Sequence, residues 1–164
     1  MITLILGAKN SGKSAFAEKL VSEASSDDNR YYIATMIPYG EEGAMRVEKH
    51  RKQREGLNFK TIEMTHNIDE AVKQMDSPKE AFVLLECIPN LVANEMFEYK
   101  VSDVVNTVLN EICILEGKVK ELYIVSYNDF GNVEDFDAET LVYINNINYV
   151  NQEIEKTADR VYKI

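Results

Sequence analysis

Ile2-Thr3-Leu4-Ile5-Leu6-Gly7-Ala8-Lys9-Asn10-Ser11-Gly12-Lys13-Ser14 decides how the rest of the chain is read. Its first five residues are the aliphatic and β-branched types that build strands. The next eight fit G-x-x-x-x-G-K-[ST] without a mismatch. In such a loop the glycines let the backbone curl until its N–H groups point at phosphate oxygens. The helix that follows adds its positive N-terminal end. Lys13 then reaches the β- and γ-phosphates, and the Ser14 hydroxyl ligates Mg²⁺. A glycine turn could match by chance, but here a strand precedes the loop and an amphipathic pattern follows it, with Phe16, Leu20 and Ala24 on one stripe.

Working outward, short apolar runs alternate with helical patterns. Strands are expected at Ile2–Leu6, Tyr31–Ala34, Phe82–Cys87, Leu122–Ser126 and Val161–Ile164, with a shorter one at Phe59–Ile62. Helices are expected at Lys13–Glu23, Glu42–Glu55, Val101–Glu116 and Ala138–Ala158. That alternation indicates a parallel α/β sheet wound by right-handed crossovers, whose ligands bind beyond the carboxyl ends of the strands. Phe82-Val83-Leu84-Leu85-Glu86 places a carboxylate at that edge, where a P-loop enzyme needs an acid for Mg²⁺. The plainer alternative is a glutamate that surfaces where its strand ends.

Length and composition narrow the function. The 164 residues suit one domain, residues 1–164, and 45% hydrophobic with 28% charged residues is ordinary for a globular chain. No apolar run is long enough for a membrane span, and Met1 leads directly into a strand, so neither an anchor nor a signal peptide is expected. Cys87 and Cys113 form no CxxC and suit reduced cytoplasmic thiols. A net charge of −10 argues against a nucleic-acid binder.

Against that acidic background, Arg46-Val47-Glu48-Lys49-His50-Arg51-Lys52-Gln53-Arg54 stands out as basic. On a helix Arg46, His50 and Arg54 share a face at i, i+4 and i+8. A neutral imidazole there can attack phosphorus and form a phosphoramidate, while Arg46 and Arg54 stabilise the transferring phosphate. Residue types alone favour the alternative, a solvated basic helix whose histidine is incidental.

Taken together these motifs resemble one family, the bifunctional adenosylcobinamide kinase / adenosylcobinamide-phosphate guanylyltransferases of cobalamin biosynthesis. The resemblance is carried by the P-loop, Tyr32-Ile33-Ala34-Thr35, Arg46-Val47-Glu48-Lys49-His50, Thr61-x-Glu63, Leu84-Leu85-Glu86-Cys87 with Asn94, Val150-Asn151-Gln152 and Ala158-Asp159-Arg160-Val161, in that order. It implies a RecA-like, mostly parallel sheet with helices on both faces, and a homotrimer. It also implies that His50 takes up GMP from GTP, and that nucleotide meets the P-loop, Ala34, Thr35, Met36, Arg51, Lys52, Gln53, Arg54, Glu63 and Glu86. ATP or GTP would serve as phosphoryl donor, and adenosylcobinamide and its phosphate as acceptors.

The chain departs from this family in places. Asn10 stands where the family's loop carries arginine, with Lys9 beside it. Tyr127-Asn128-Asp129-Phe130 replaces Asn-Glu-Val-Gly, and Leu141 and Ile144 fall where two arginines are usual, on an apolar stripe that reads as core. The chain ends at Ile164 without the family's glycine-containing tail. A P-loop small-molecule kinase with only one of the two activities, and a non-catalytic nucleotide-binding regulatory module, therefore stand as alternatives.

Overall fold

The computed structural model describes residues 1–164. Its strands are β1 (Ile2–Gly7), β2 (Arg30–Ala34), β3 (Lys60–Glu63), β4 (Phe82–Glu86), β5 (Glu121–Tyr127) and β6 (Arg160–Lys163). All pair in parallel in the order β3-β2-β4-β5-β1-β6. The short run after the basic helix is thus a genuine edge strand, shifted one residue from the expected Phe59–Ile62. Register aligns Ile5, Val125, Glu86, Ala34 and Glu63 in a single row across the sheet. Residues far apart in the chain therefore meet at one carboxyl edge.

The pleat sorts side chains between two faces. Leu4, Leu6, Ile33, Val83, Leu85, Leu122 and Ile124 enter a core cluster of 25 buried residues, shared with α4 (Val104–Lys118) and α5 (Ala138–Thr157). Ile5, Tyr32, Leu84, Tyr123 and Val125 point the other way, into a cluster of 9 with Ala17 and Val21 of α1 (Lys13–Ala24). The smaller cluster lies on the face covered by α1, and α2 (Gly40–Arg54) contributes no side chain to either cluster.

Several boundaries differ from expectation for local reasons. The fourth helix starts at Val104 and not Val101, because Asp103 caps it by accepting from the Asn106 N–H at 3.2 Å. The α1 face that packs is Ala17 and Val21, with Phe16 and Leu20 half-buried beside it and Ala24 exposed. Helix α3 (Ile88–Ala93), continued by a wider turn at Asn94–Glu98, was not anticipated. It is too short to show periodicity, although Pro89 suits its first turn. Of the two residues read as core, Ile144 is buried and Leu141 half-buried, and neither joins either cluster. No helix is long and apolar enough to cross a membrane.

Candidate functional site

The loop after β1 is built by backbone geometry. Gly12 holds φ at +85°, a left-handed conformation that a side chain would strain. A Cβ on Gly7 would lie 2.6 Å from the Ser11 hydroxyl, so any larger residue here would push the Ser11 side chain aside. Asn10 turns the loop at φ +58°, which asparagine tolerates better than most residues. Lys13 then opens α1, buried, with its Nζ donating to the Ala8 carbonyl at 2.9 Å and lying 4.1 Å over the Tyr127 ring. Burial lowers its pKa, and the negative charge of Glu86 opposes that shift.

Glu86 does not surface at the end of β4; it is 8% exposed. The Ser14 hydroxyl donates to its Oε1 and the Tyr32 hydroxyl donates to its Oε2 at 3.2 Å. A hydroxyl and a carboxylate held together suit Mg²⁺, which takes one or two carboxylates and fills its octahedron with water and phosphate oxygens. No group of three or more His, Cys, Asp and Glu side chains gathers anywhere, so an all-protein cage of such ligands is excluded. Behind Glu86, the Thr35 hydroxyl accepts from the Cys87 N–H at 2.9 Å, and Asn94 donates to the carbonyls of Thr35 at 2.7 Å and Thr65 at 2.9 Å. Asn94 thus holds Thr35 and the segment after β3 in place. Cys87 is buried and its thiol is pushed up to about 12 by that burial, which leaves it inert.

Helix α2 supplies the opposite wall, with Arg46, Val47, Lys49, His50, Gln53 and Arg54 turned to the cleft at helical spacing. His50 is half-buried, and its Nδ1 is enclosed without a hydrogen-bond partner. Burial lowers its pKa below 6.5; Glu86 opposes this, and Arg54, Arg46 and Lys49 reinforce it. At neutral pH the ring is therefore uncharged, the form with a nucleophilic nitrogen.

The remaining cations separate. Arg51 pairs with Glu63 at 3.1 Å, on the exposed rim. Lys52 faces away from the cleft. Arg54 is buried, its guanidinium 3.7 Å from the Tyr32 ring centre and donating to the Thr61 hydroxyl at 3.2 Å. Its face on the helix was legible, but its guanidinium is engaged by the sheet. Arg46 is exposed at the cleft wall.

Most of these groups border one cleft of about 490 Å³, from which Lys52 and Asn94 are absent. It brings together Lys9–Ser14, Ala34–Met36, Arg46, His50, Arg51, Gln53, Arg54, Glu63 and Glu86. Gly7 and Ala8, the first residues of the loop, do not line the cleft. Thr61, Thr65, Asn90 and Tyr127 also line it, unassigned from sequence. Tyr127 carried the same signal that identified Glu86, a polar group at the carboxyl end of an apolar strand. The other histidine, His66, follows β3 and stacks on Tyr99 with ring centres 3.8 Å apart. Chemically, the cleft unites a glycine-bounded loop at a helix N-terminus, a hydroxyl–carboxylate pair and an uncharged imidazole.

A sequence profile described as cobinamide kinase / cobinamide phosphate guanyltransferase matches residues 3–164. Over 99 residues the chain is 37% identical to the "Bifunctional adenosylcobalamin biosynthesis protein CobU" of Escherichia coli (strain K12), covering 60% of this chain and 52% of that one. Over 97 residues it is 34% identical to the protein of the same name from Salmonella typhimurium (strain LT2), covering 59% and 51%. The matched stretch thus spans about half the length of these relatives. Among solved structures, the "ATPase Domain of G40P" superposes with a TM-score of 0.56 over 99% of this chain and 68% of that one, at 14% identity. That likeness is one of fold, and it makes the sheet a RecA-like P-loop α/β sheet.

Proposed function

This chain belongs to the cobinamide kinase / cobinamide phosphate guanyltransferase family, and on that premise we propose that it phosphorylates adenosylcobinamide and then transfers GMP to the product. One observation carries the reading: an uncharged, half-buried His50 shares a single cleft with the phosphate loop. A phosphate loop alone would suit many kinases.

In the first reaction Lys13 and the loop N–H groups grip the triphosphate of ATP or GTP, and the γ-phosphoryl passes to the aminopropanol hydroxyl of adenosylcobinamide. Positioning and charge neutralisation supply most of the rate. Ser14 and Glu86 would hold Mg²⁺, which neutralises charge on the phosphates. In the second, an imidazole nitrogen of His50 attacks the α-phosphorus of GTP. A P–N bond forms, the bond to the β-phosphate oxygen breaks, and pyrophosphate leaves. Arg46 stabilises the charge that develops. A phosphate oxygen of adenosylcobinamide phosphate then attacks the same phosphorus, the P–N bond breaks, and adenosylcobinamide-GDP is released.

The test uses GTP labelled on the α-phosphate. Acid-labile, base-stable label on the wild-type chain, absent from His50→Ala, is the expected result. Label that survives in His50→Ala would sink the nucleophile assignment. Turnover of adenosylcobinamide without label would point to a kinase alone, and neither label nor turnover to a nucleotide-binding module.

A further inference from the structure

A carboxyl one helical turn beyond Ser14 has no part in the chemistry above. Glu18 is 1% exposed, on the face of α1 that meets α2. Its Oε2 accepts from the Gln53 amide at 3.0 Å, and its Oε1 is enclosed without a partner. Burial pushes its pKa up to about 7; Gln53 opposes the shift, Glu86 adds to it and Arg54 opposes it. An acceptor oxygen faces Gln53 in either protonation state. Leaving a carboxyl oxygen unpartnered in so dry a position is costly.

The helix it touches gives it a use. Of the whole of α2, only Arg54 is buried; no apolar side chain of the helix enters the core. An element without an apolar stripe is not aligned by packing. Two adjacent polar anchors at its last turn align it instead: Arg54 on Tyr32 and Thr61, and Gln53 on Glu18. Gln53 lies three residues beyond His50, on the same face.

We propose that Glu18 is a positioning residue, which holds Gln53 and so sets the distance between His50 and the triphosphate cradled by Lys13 and Ser14. The inference rests on the guanylyl-transfer reading of His50. The carboxyl belongs to the same helix that begins with Lys13 and Ser14, so the nucleophile is referenced directly to the phosphate cradle. A displacement of about 1 Å at a reacting centre can cost on the order of 100-fold in rate without loss of binding.

The experiment compares wild type, Glu18→Leu, Glu18→Gln, Gln53→Ala and the double variant Glu18→Leu/Gln53→Ala as full chains. It reads the single-turnover rate of label transfer from α-labelled GTP to His50, and separately the affinity for α,β-methylene GTP. Glu18→Leu is expected to slow transfer by about 10- to 100-fold with analogue affinity unchanged within about twofold. Glu18→Gln keeps a carbonyl acceptor for Gln53 and restores most of the rate. The double variant is no slower than the slower single, since both remove one contact. Transfer at the wild-type rate in Glu18→Leu overturns the proposal, as does a loss of rate matched by a loss of analogue affinity. Should Glu18→Leu not fold, Glu18→Ala, which removes the same acceptor with less bulk, is judged by the same two measurements. Absence of label in the wild type would overturn the guanylyl-transfer reading itself, a result distinct from any ranking of the variants.

Discussion

Arg54→Ala tests whether the last turn of α2 is fastened to the sheet or free at the cleft. In the structure the guanidinium is 3.7 Å from the Tyr32 ring centre and the residue is 7% exposed. A cation over an aromatic ring contributes up to about 2 kcal/mol when water is excluded. The bond to Thr61 is long, at 3.2 Å, and contributes about 1 kcal/mol even with a charged donor. Relief of the guanidinium's own desolvation offsets part of that sum. The net loss is on the order of 2–3 kcal/mol, which for a chain of this size lowers Tm by about 5–10 °C. Arg54→Lys keeps the charge but not the planar stacking fork, and should recover less than half of the loss. Urea titrations and thermal scans of the three proteins without nucleotide give the answer. An exposed arginine waiting for phosphate would cost within about 0.5 kcal/mol on removal. A Tm shift under about 1 °C for Arg54→Ala would refute the anchoring argument.

Three further outcomes follow from the geometry. Because the pKa of His50 is held below 6.5, its transfer rate should stay level from pH 8 down to about pH 6.5 and fall only in more acid solution. Arg46→Ala removes one of the charges that lower it and should move the half-point upward; a rate that halves above pH 7 in the wild type would contradict the neutral-imidazole reading. Glu111 is buried and titrates at about 7, raised by burial and by Glu95. Its folded pKa exceeds the unfolded 4.5, so the folded state keeps a proton that the unfolded state has released. This contribution is fully present below pH 4.5 and lost as pH rises through 7, which leaves Glu111→Gln more stable than wild type at pH 8 by on the order of 1–2 kcal/mol and equal to it near pH 4. Denaturant midpoints at both pH values check the sign. Glu86→Gln removes the charge beside Ser14 and should weaken nucleotide affinity at least about tenfold with Mg²⁺ while leaving metal-free affinity little changed; equal losses in both would mean that Glu86 only braces Ser14 and Tyr32.

Much of the site was legible because its signals are local. A glycine-bounded loop between a strand and a helix needs only consecutive residues to be recognised. His50 stood out as a histidine in a basic run within an acidic chain. Glu86 was marked by the end of its own apolar strand. Glu18 left a weaker trace, since a charged residue on a short amphipathic helix reads as solvated unless its partner is known. That partner, Gln53, is in a different element. The chain's basic cluster likewise gave no hint that its cations divide among a rim pair with Glu63, an outward Lys52, a buried Arg54 and an Arg46 exposed at the cleft.

The sequence by itself determined the strand and helix alternation, the phosphate loop and the residues with chemistry to offer, because each is written in spacings of a few residues. Only the tertiary structure decided the order β3-β2-β4-β5-β1-β6 and the register that sets Ile5, Val125, Glu86, Ala34 and Glu63 in one row. It also decided that α2 is fastened through Gln53 to the Glu18 carboxyl of α1 and through Arg54 to Tyr32 and Thr61 of the sheet, without an apolar stripe. Pairing between distant strands and contact between polar faces have no period along the chain. They are selected by the burial of the whole sheet at once.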